Sequence, residues 1–172
     1  MGEEFPSWGE LASQLIGLVQ VRLLDPLEIL MESSTDVARL HGRVVEQAGG
    51  WASTLLGEDE YSARLTAIRL VSTLYPDDHG FTPPPGWWQT PLGQVMVRRV
   101  GHPAAEAVSY AVAGAMLGIT RQGVHDLVTR GKLDRHDNGG VTTTSVQRRI
   151  LHQTHANPPR ARREEATHDS DR

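Results

Sequence analysis

The stretch GITRQGVHDLVTRGKL, Gly118–Leu133, decides how this chain is read. Gly118 suits a tight turn, Ile119 anchors it, and the Thr120 hydroxyl can cap the helix that follows. That helix is expected over Arg121–Arg130, with Val124, Leu127 and Val128 inward and Gly131 as its stop. Gly123 in its first turn is a mild cost. Upstream, Ser109 can cap a helix over Tyr110–Leu117 whose apolar positions are Val112, Ala113, Met116 and Leu117. Two short helices joined by a glycine turn form the helix-turn-helix pattern, whose second helix enters the major groove of DNA.

Downstream, KLDRHDNGGVTT reads as two short extended pieces around Asn138-Gly139. Asn-Gly is a strong hairpin signal because both central residues of its turn need positive φ. Such a hairpin would form a wing with Arg135 and His136 near its tip. A last helix, from about Thr144 to His152, would pack Val146, Ile150 and Leu151 on the core and leave Arg148 and Arg149 outside.

The first half of the chain reads as helical. Ser7 and Glu10 match a capping box, and Trp8, Leu11, Leu15, Leu18 and Val19 repeat at helical spacing up to about Asp25, where Pro26 ends or kinks the helix. After a short piece, Pro26–Met31, and the break ESSTD, the next helix carries an apolar stripe of Val37, Leu40, Val44, Ala48, Trp51 and Leu55. Gly49-Gly50 would kink or split it. A further helix over Glu58–Leu74 would turn Tyr61, Leu65, Ile68, Val71 and Leu74 inward. YPDDHGFTPPPGWWQTP then reads as an ordered loop or boundary, with Trp87 and Trp88 plugging a core or a partner surface. Thr90 and Pro91 start a short helix, Leu92–Val100, which Gly101-His102-Pro103 stops. The tail 157–172 is rich in Pro, Arg and Glu and reads as disordered.

Composition bounds the function. The chain has 172 residues, 38% hydrophobic and 22% charged, with a net charge of −4 and no cysteine, which excludes disulfides and thiolate metal sites. Residues 1–100 hold thirteen acidic and seven basic side chains, whereas residues 107–163 hold three acidic and nine basic ones. A basic half points to an anionic partner, and nucleic acid is the commonest. Neither a signal peptide nor a membrane-spanning run is read, so a cytoplasmic, nucleoid location is expected.

The residues SYAVAGAMLGITRQGVHDLVTRGKL, followed by a short hairpin and a helix, resemble the winged helix-turn-helix of the MerR and excisionase-like DNA-binding domains. Ala113, Leu117, Gly118, Ile119, Thr120, Arg121, Val124, Leu127, Gly131 and Leu133 carry the resemblance, which covers Ala107–Leu151. It implies a DNA reader, although here the large helical region precedes the module. His125 stands where a tyrosine or arginine is common midway along the second helix. On this reading Arg121, Gln122 and His125 are candidates for base edges, since arginine pairs with guanine and glutamine with adenine in bidentate fashion. Thr120, Thr129, Arg130, Lys132, Arg135, His136 and Arg148 are candidate phosphate contacts. Asp126 would repel phosphate unless it orients Arg130 four residues on.

Other signals carry less. His152 and His155 lack a carboxylate at ligand spacing, so no metal is expected; PDDH, Pro76–His79, reads as a turn; VAGAMLG lacks the strand–loop–helix context of a phosphate cradle. No catalytic pattern is found, so neither enzyme activity nor a cofactor is expected. The expected architecture is mainly α. It has an acidic helical domain over 1–80, a Pro/Trp-rich connector and short helix over 81–103, a winged helix-turn-helix with a small β-hairpin wing over 104–156, and the tail. The expected function is sequence-specific binding of double-stranded DNA, as a transcriptional regulator that dimerises through its N-terminal helices. The Val37–Leu55 stripe is either the dimer surface or the inner face of the N-terminal core. The rival readings are a protein-interaction adaptor on the same fold and a non-specific nucleoid protein.

Overall fold

The computed structural model describes residues 5–32, 34–77 and 80–156. The expected disordered tail, and Asp78 and His79 of PDDH, lie outside the described residues. So does the side chain of His155. The chain is mainly helical, with one small two-stranded antiparallel sheet.

Helix α1, Trp8–Val19, starts with the expected capping box. The Ser7 hydroxyl accepts from the Glu10 amide (3.2 Å), and a Glu10 carboxylate oxygen accepts from the Ser7 amide (2.9 Å). The Ser7 hydroxyl also donates to that carboxylate (2.6 Å), and this bond first, then the Ser7 amide's, holds the Glu10 carboxyl below its usual pKa. Leu11, Ala12, Leu15 and Val19 are buried. Pro26 does not end the helix abruptly. A π-helical turn, Gln20–Leu24, follows α1, and helix α2, Asp25–Met31, takes Pro26 in its first turn, where a missing amide leaves no bond unmade.

Helix α3, Ser34–Leu56, runs unbroken through Gly49-Gly50, contrary to expectation. Gly49 is where Trp8 lies against the helix. A Cβ there would stand 2.9 Å from the indole, whose Nε1 donates to the Gly49 carbonyl (3.2 Å) and the Ser53 hydroxyl (3.1 Å). These contacts offset a glycine's cost in a helix, about 1 kcal/mol. Val37, Ala48 and Leu55 of the predicted stripe are buried, as is Ala52, while Leu40 is exposed. Val37, Ala48 and Leu55 therefore belong to the inner face, while Leu40 lies outside it.

Helix α4, Glu60–Leu74, begins after Asp59, whose side chain caps it. Its inner face is Ala63, Thr66, Ala67, Leu70, Val71 and Leu74. The expected face was wrong in part: Tyr61, Leu65 and Ile68 are 74%, 49% and 40% exposed. Both sets follow helical spacing. The alanine-bearing set packs inward because small side chains let α4 approach α3 and the later helix α5 closely.

The Pro/Trp segment is ordered and central. Trp87 and Trp88 are buried in a 3-10 turn, Pro85–Gln89. The Trp87 indole donates to the Tyr75 hydroxyl (3.0 Å), and Tyr75 stacks on Phe81 at 4.2 Å. Helix α5, Pro91–Arg99, is capped by Thr90 and buries Leu92, Val95, Met96 and Val97. A Cβ on Gly93 would lie 2.1 Å from the Trp87 carbonyl oxygen, so the turn and helix fit only through glycine. One buried cluster runs from Leu11 through these residues to Ile150, so the segment foreseen as a connector supplies the middle of a shared core.

Strand β1 is Ala107–Val108, helix α6 is Tyr110–Leu117, helix α7 is Arg121–Thr129, strand β2 is Val141–Thr142 and helix α8 is Thr143–Ala156. The sheet differs from expectation. β2 pairs with β1, with Val108 opposite Val141 and Ala107 opposite Thr142, and only a single bridge joins Arg135 to Val141. Positive φ falls on Gly139 (92°) and Gly140 (80°) and not on Asn138, so the tip is not the expected Asn-Gly turn. Gly140 is required because a Cβ there would meet the Val108 carbonyl oxygen at 2.3 Å. In α8, Val146 and Ile150 are buried as expected, but Leu151 is 43% exposed.

Candidate nucleic-acid interface

The turn between α6 and α7 is built as the sequence suggests. The Ser109 hydroxyl accepts from the Val112 amide (3.3 Å) and starts α6. Gly118 takes the left-handed conformation, φ 63°, and the Ile119 amide donates back to the Gly114 carbonyl (2.9 Å). The Thr120 hydroxyl then accepts from the Gly123 amide (3.1 Å) and starts α7. Gly114 is the less obvious requirement: a Cβ there would lie 2.7 Å from the Ile119 carbonyl oxygen. The turn thus sits directly on the backbone of α6, which fixes the angle at which α7 leaves.

Val124 of α7 is fully buried, and Leu127 and Val128 are half-buried. Arg121, Gln122, His125, Asp126 and Thr129 are all exposed, at spacings that place them on the opposite side of the helix. The three base-edge candidates therefore share one surface at the N-terminal, electropositive end of α7. Among the described residues, Arg121, Arg130, Lys132 and Arg135 have no side-chain hydrogen-bond or ion-pair partner. Asp126 does not orient Arg130, as the spacing had suggested. Its carboxylate accepts from the Gln122 side-chain Nε2 (3.2 Å) and lies 3.9 Å from His125 Nδ1. That bond uses one of the two protons on Gln122 Nε2.

Two hydroxyls are already engaged. Thr120 caps the helix, and Thr129 donates to the His125 carbonyl (2.9 Å). Thr120 uses only its oxygen and keeps its proton to donate to a phosphate, whereas the Thr129 proton is committed to the His125 carbonyl. His136 is half-buried and its Nδ1 accepts from the Asn138 amide (3.2 Å), which orders the loop. Arg135 is exposed at the bridge. Arg148 pairs with Asp134 at 3.3 Å, both about half exposed.

The fold adds residues that spacing does not reveal. Gly131 takes φ 63° and the Lys132 amide donates to the Leu127 carbonyl (2.8 Å), so the chain folds back towards α8. An open groove of about 370 Å³ results, lined by Lys132, Ser145, Arg148, Arg149 and His152, among others. It gathers three permanent cations from two segments, and Arg149 and His152 belong to it although sequence reasoning left them aside. Tyr110 is the other addition. Its ring lies 6.3 Å from that of His125, edge-on, at the border of the exposed α7 surface. The signal was present in the sequence, since Tyr110 directly follows the cap of α6, but its partner across the turn was not legible.

No group of three or more metal-ligating side chains occurs among the described residues, and none of their helices is long and apolar enough to cross a membrane. Compared with protein families, with curated proteins and with solved structures, the chain matches none.

Proposed function

We propose that this chain is a sequence-specific double-stranded DNA-binding protein, a transcriptional regulator whose residues 104–156 act as a winged helix-turn-helix. Helix α7 would enter the major groove, with the short sheet and the loop at Arg135 as the wing. The resemblance to MerR and excisionase-like domains rests on the residues of this chain alone. The observation that carries the reading is the shared exposure of Arg121, Gln122 and His125 at the N-terminal end of a short helix seated on α6. In a helix-turn-helix, that end reaches base edges. Arg130 and Lys132 beyond it, and the cationic groove at α8, supply the attraction for phosphate.

Each part has a distinct signature. Losing Arg121 or Gln122 should flatten sequence preference by about 1–3 kcal/mol per lost pair. Losing Lys132 or Arg149 should weaken all duplexes alike and lower the salt slope by about one unit. Binding of a mixed-sequence duplex, titrated at several salt concentrations by fluorescence anisotropy, measures the second effect. Affinity that does not fall with salt would refute the proposal.

One observation favours the adaptor reading. Asp126 places a carboxylate in the middle of the α7 surface, where a protein partner with a basic residue would fit. On DNA, the same carboxylate must accept from a cytosine amino group or be turned aside by Gln122. A flat salt response with retained binding to a protein would select the adaptor.

A further inference from the structure

The π-helical turn, α2 and the first half of α3 form an arm with little covering it. α2 has no buried residue, although four of its seven residues are Leu27, Ile29, Leu30 and Met31. Ile29 and Leu30 are 77% and 79% exposed, and Val21, in the π-helical turn, is 65% exposed. A helix with so dense a set of apolar side chains normally buries them. A helix of seven residues is also too short to persist in water by its own hydrogen bonds. Along α3, Leu40 and Val45 are exposed as well, and only Val37 of its first three turns is buried. A small cluster of Val19, Leu24, Val37 and Leu74 ties the arm to the body.

The charges on the arm are divided. Asp25, Glu28 and Glu32 lie on and just after α2, while α3 carries Asp36, paired with Arg39 at 3.7 Å, and then Arg43. A two-fold axis across the arm would set the acidic end of each copy against the turn of the other that holds Arg43, the reciprocal arrangement of an isologous contact. A standard interface takes about 800 Å² from each partner. Val21, Ile29, Leu30 and Met31 are each more than half exposed, and Leu40 flanks them on α3, so the arm offers apolar surface to such a contact. We propose that this arm is a self-association surface, and that its occupant is the arm of a second copy of the same chain. It keeps Leu40 of the Val37–Leu55 stripe but not Val37, Ala48 and Leu55, which the core already uses. The proposal does not rest on DNA binding: a dimer without affinity for DNA, or a monomer with it, would separate the two.

The test is sedimentation velocity of the full chain over a range of concentrations, for the wild type and three variants. The wild type should dimerise. Leu30→Glu buries an unpaired charge in the proposed contact and should weaken dimerisation about 100-fold or more. The side chain is exposed in one copy, so the helical circular dichroism of the monomer should be retained. Arg43→Glu should weaken dimerisation, and Glu28→Arg added to it should restore much of the loss. Tyr61→Glu, on the other exposed apolar stripe, should have no effect. A monomeric wild type overturns the proposal, including one that instead sediments with anionic lipid vesicles. So does a Leu30→Glu chain that stays dimeric, a charge pair that shows no rescue, or dissociation caused by Tyr61→Glu.

Discussion

Gly114→Ala sets two effects of similar size against each other at the turn that aims α7. In an ordinary helix interior, alanine is better than glycine by about 1 kcal/mol. At Gly114 the added Cβ would lie 2.7 Å from the Ile119 carbonyl oxygen. The obstacle is backbone, not the end of a flexible side chain. The turn would have to lift by about half an ångström to reach an ordinary carbon–oxygen contact. Lifting it strains the bond from the Ile119 amide to the Gly114 carbonyl, now 2.9 Å. Overpacking of this kind costs about 1–3 kcal/mol. The net expectation is a loss of up to about 2 kcal/mol after the propensity gain, and a fall in Tm of up to about 8 °C for a chain of this size. Gly17→Ala is the control, because Gly17 is exposed in α1 with nothing within 4 Å of an added Cβ. It should gain about 0.4–1 kcal/mol. Urea unfolding of the three proteins gives both numbers. If Gly114→Ala stabilises the chain as Gly17→Ala does, the close seating of the turn on α6 is wrong.

Two further predictions follow from the core. Burial pushes the His102 pKa down, and its Nδ1 accepts from the Ala104 and Ala105 amides at 3.2 and 3.0 Å. The unfolded chain then takes up the proton first, so stability should be level above the ordinary histidine pKa, about 6.5, and fall as pH drops below it. His102→Asn should reduce that slope in urea unfolding between pH 7 and 5, and an unchanged slope would count against the assignment. Arg99, whose side chain is 11% exposed, donates to the carbonyls of Leu55 (3.1 Å) and Gly57 (2.7 Å) and pairs with Glu60. Arg99→Met should cost about 2–4 kcal/mol, because carbonyls at the end of α3 lose charge-assisted partners. A loss under about 0.5 kcal/mol, the range of surface changes, would mean that water replaces those bonds freely.

Local signals were legible wherever one residue type has one physical use. The Ser7–Glu10 box, the caps Thr90, Ser109 and Thr120, and the left-handed glycines Gly118 and Gly131 all sit where the sequence puts them. Choices between equivalent patterns were not legible. Tyr61-Leu65-Ile68 and Ala63-Ala67-Leu70 obey the same period, and only the closeness of α3 and α5 selects the second. Long-range pairing was hidden too. Two residues, Ala107 and Val108, are too few to announce a strand, and their partner lies beyond two helices. The same limit applied to the site. The exposed face of α7 could be read from its helical period, whereas the groove joining Lys132 to Arg148, Arg149 and His152 depends on how α8 returns. Spacing also left the partner of Asp126 open, with Gln122 on one side and Arg130 on the other, and the fold selects Gln122.

The central claim is that the exposed face of α7 reads DNA sequence. Selection of bound fragments from a random duplex pool by the purified full chain, followed by sequencing, tests it most directly. The account predicts an enriched motif for the wild type, with two half-sites about one helical turn apart if the arm dimerises. It also predicts that the preference is blurred at one position by Arg121→Ala. No enrichment by protein shown to be folded, or the same motif at the same strength from Arg121→Ala, Gln122→Ala and His125→Ala alike, would contradict it.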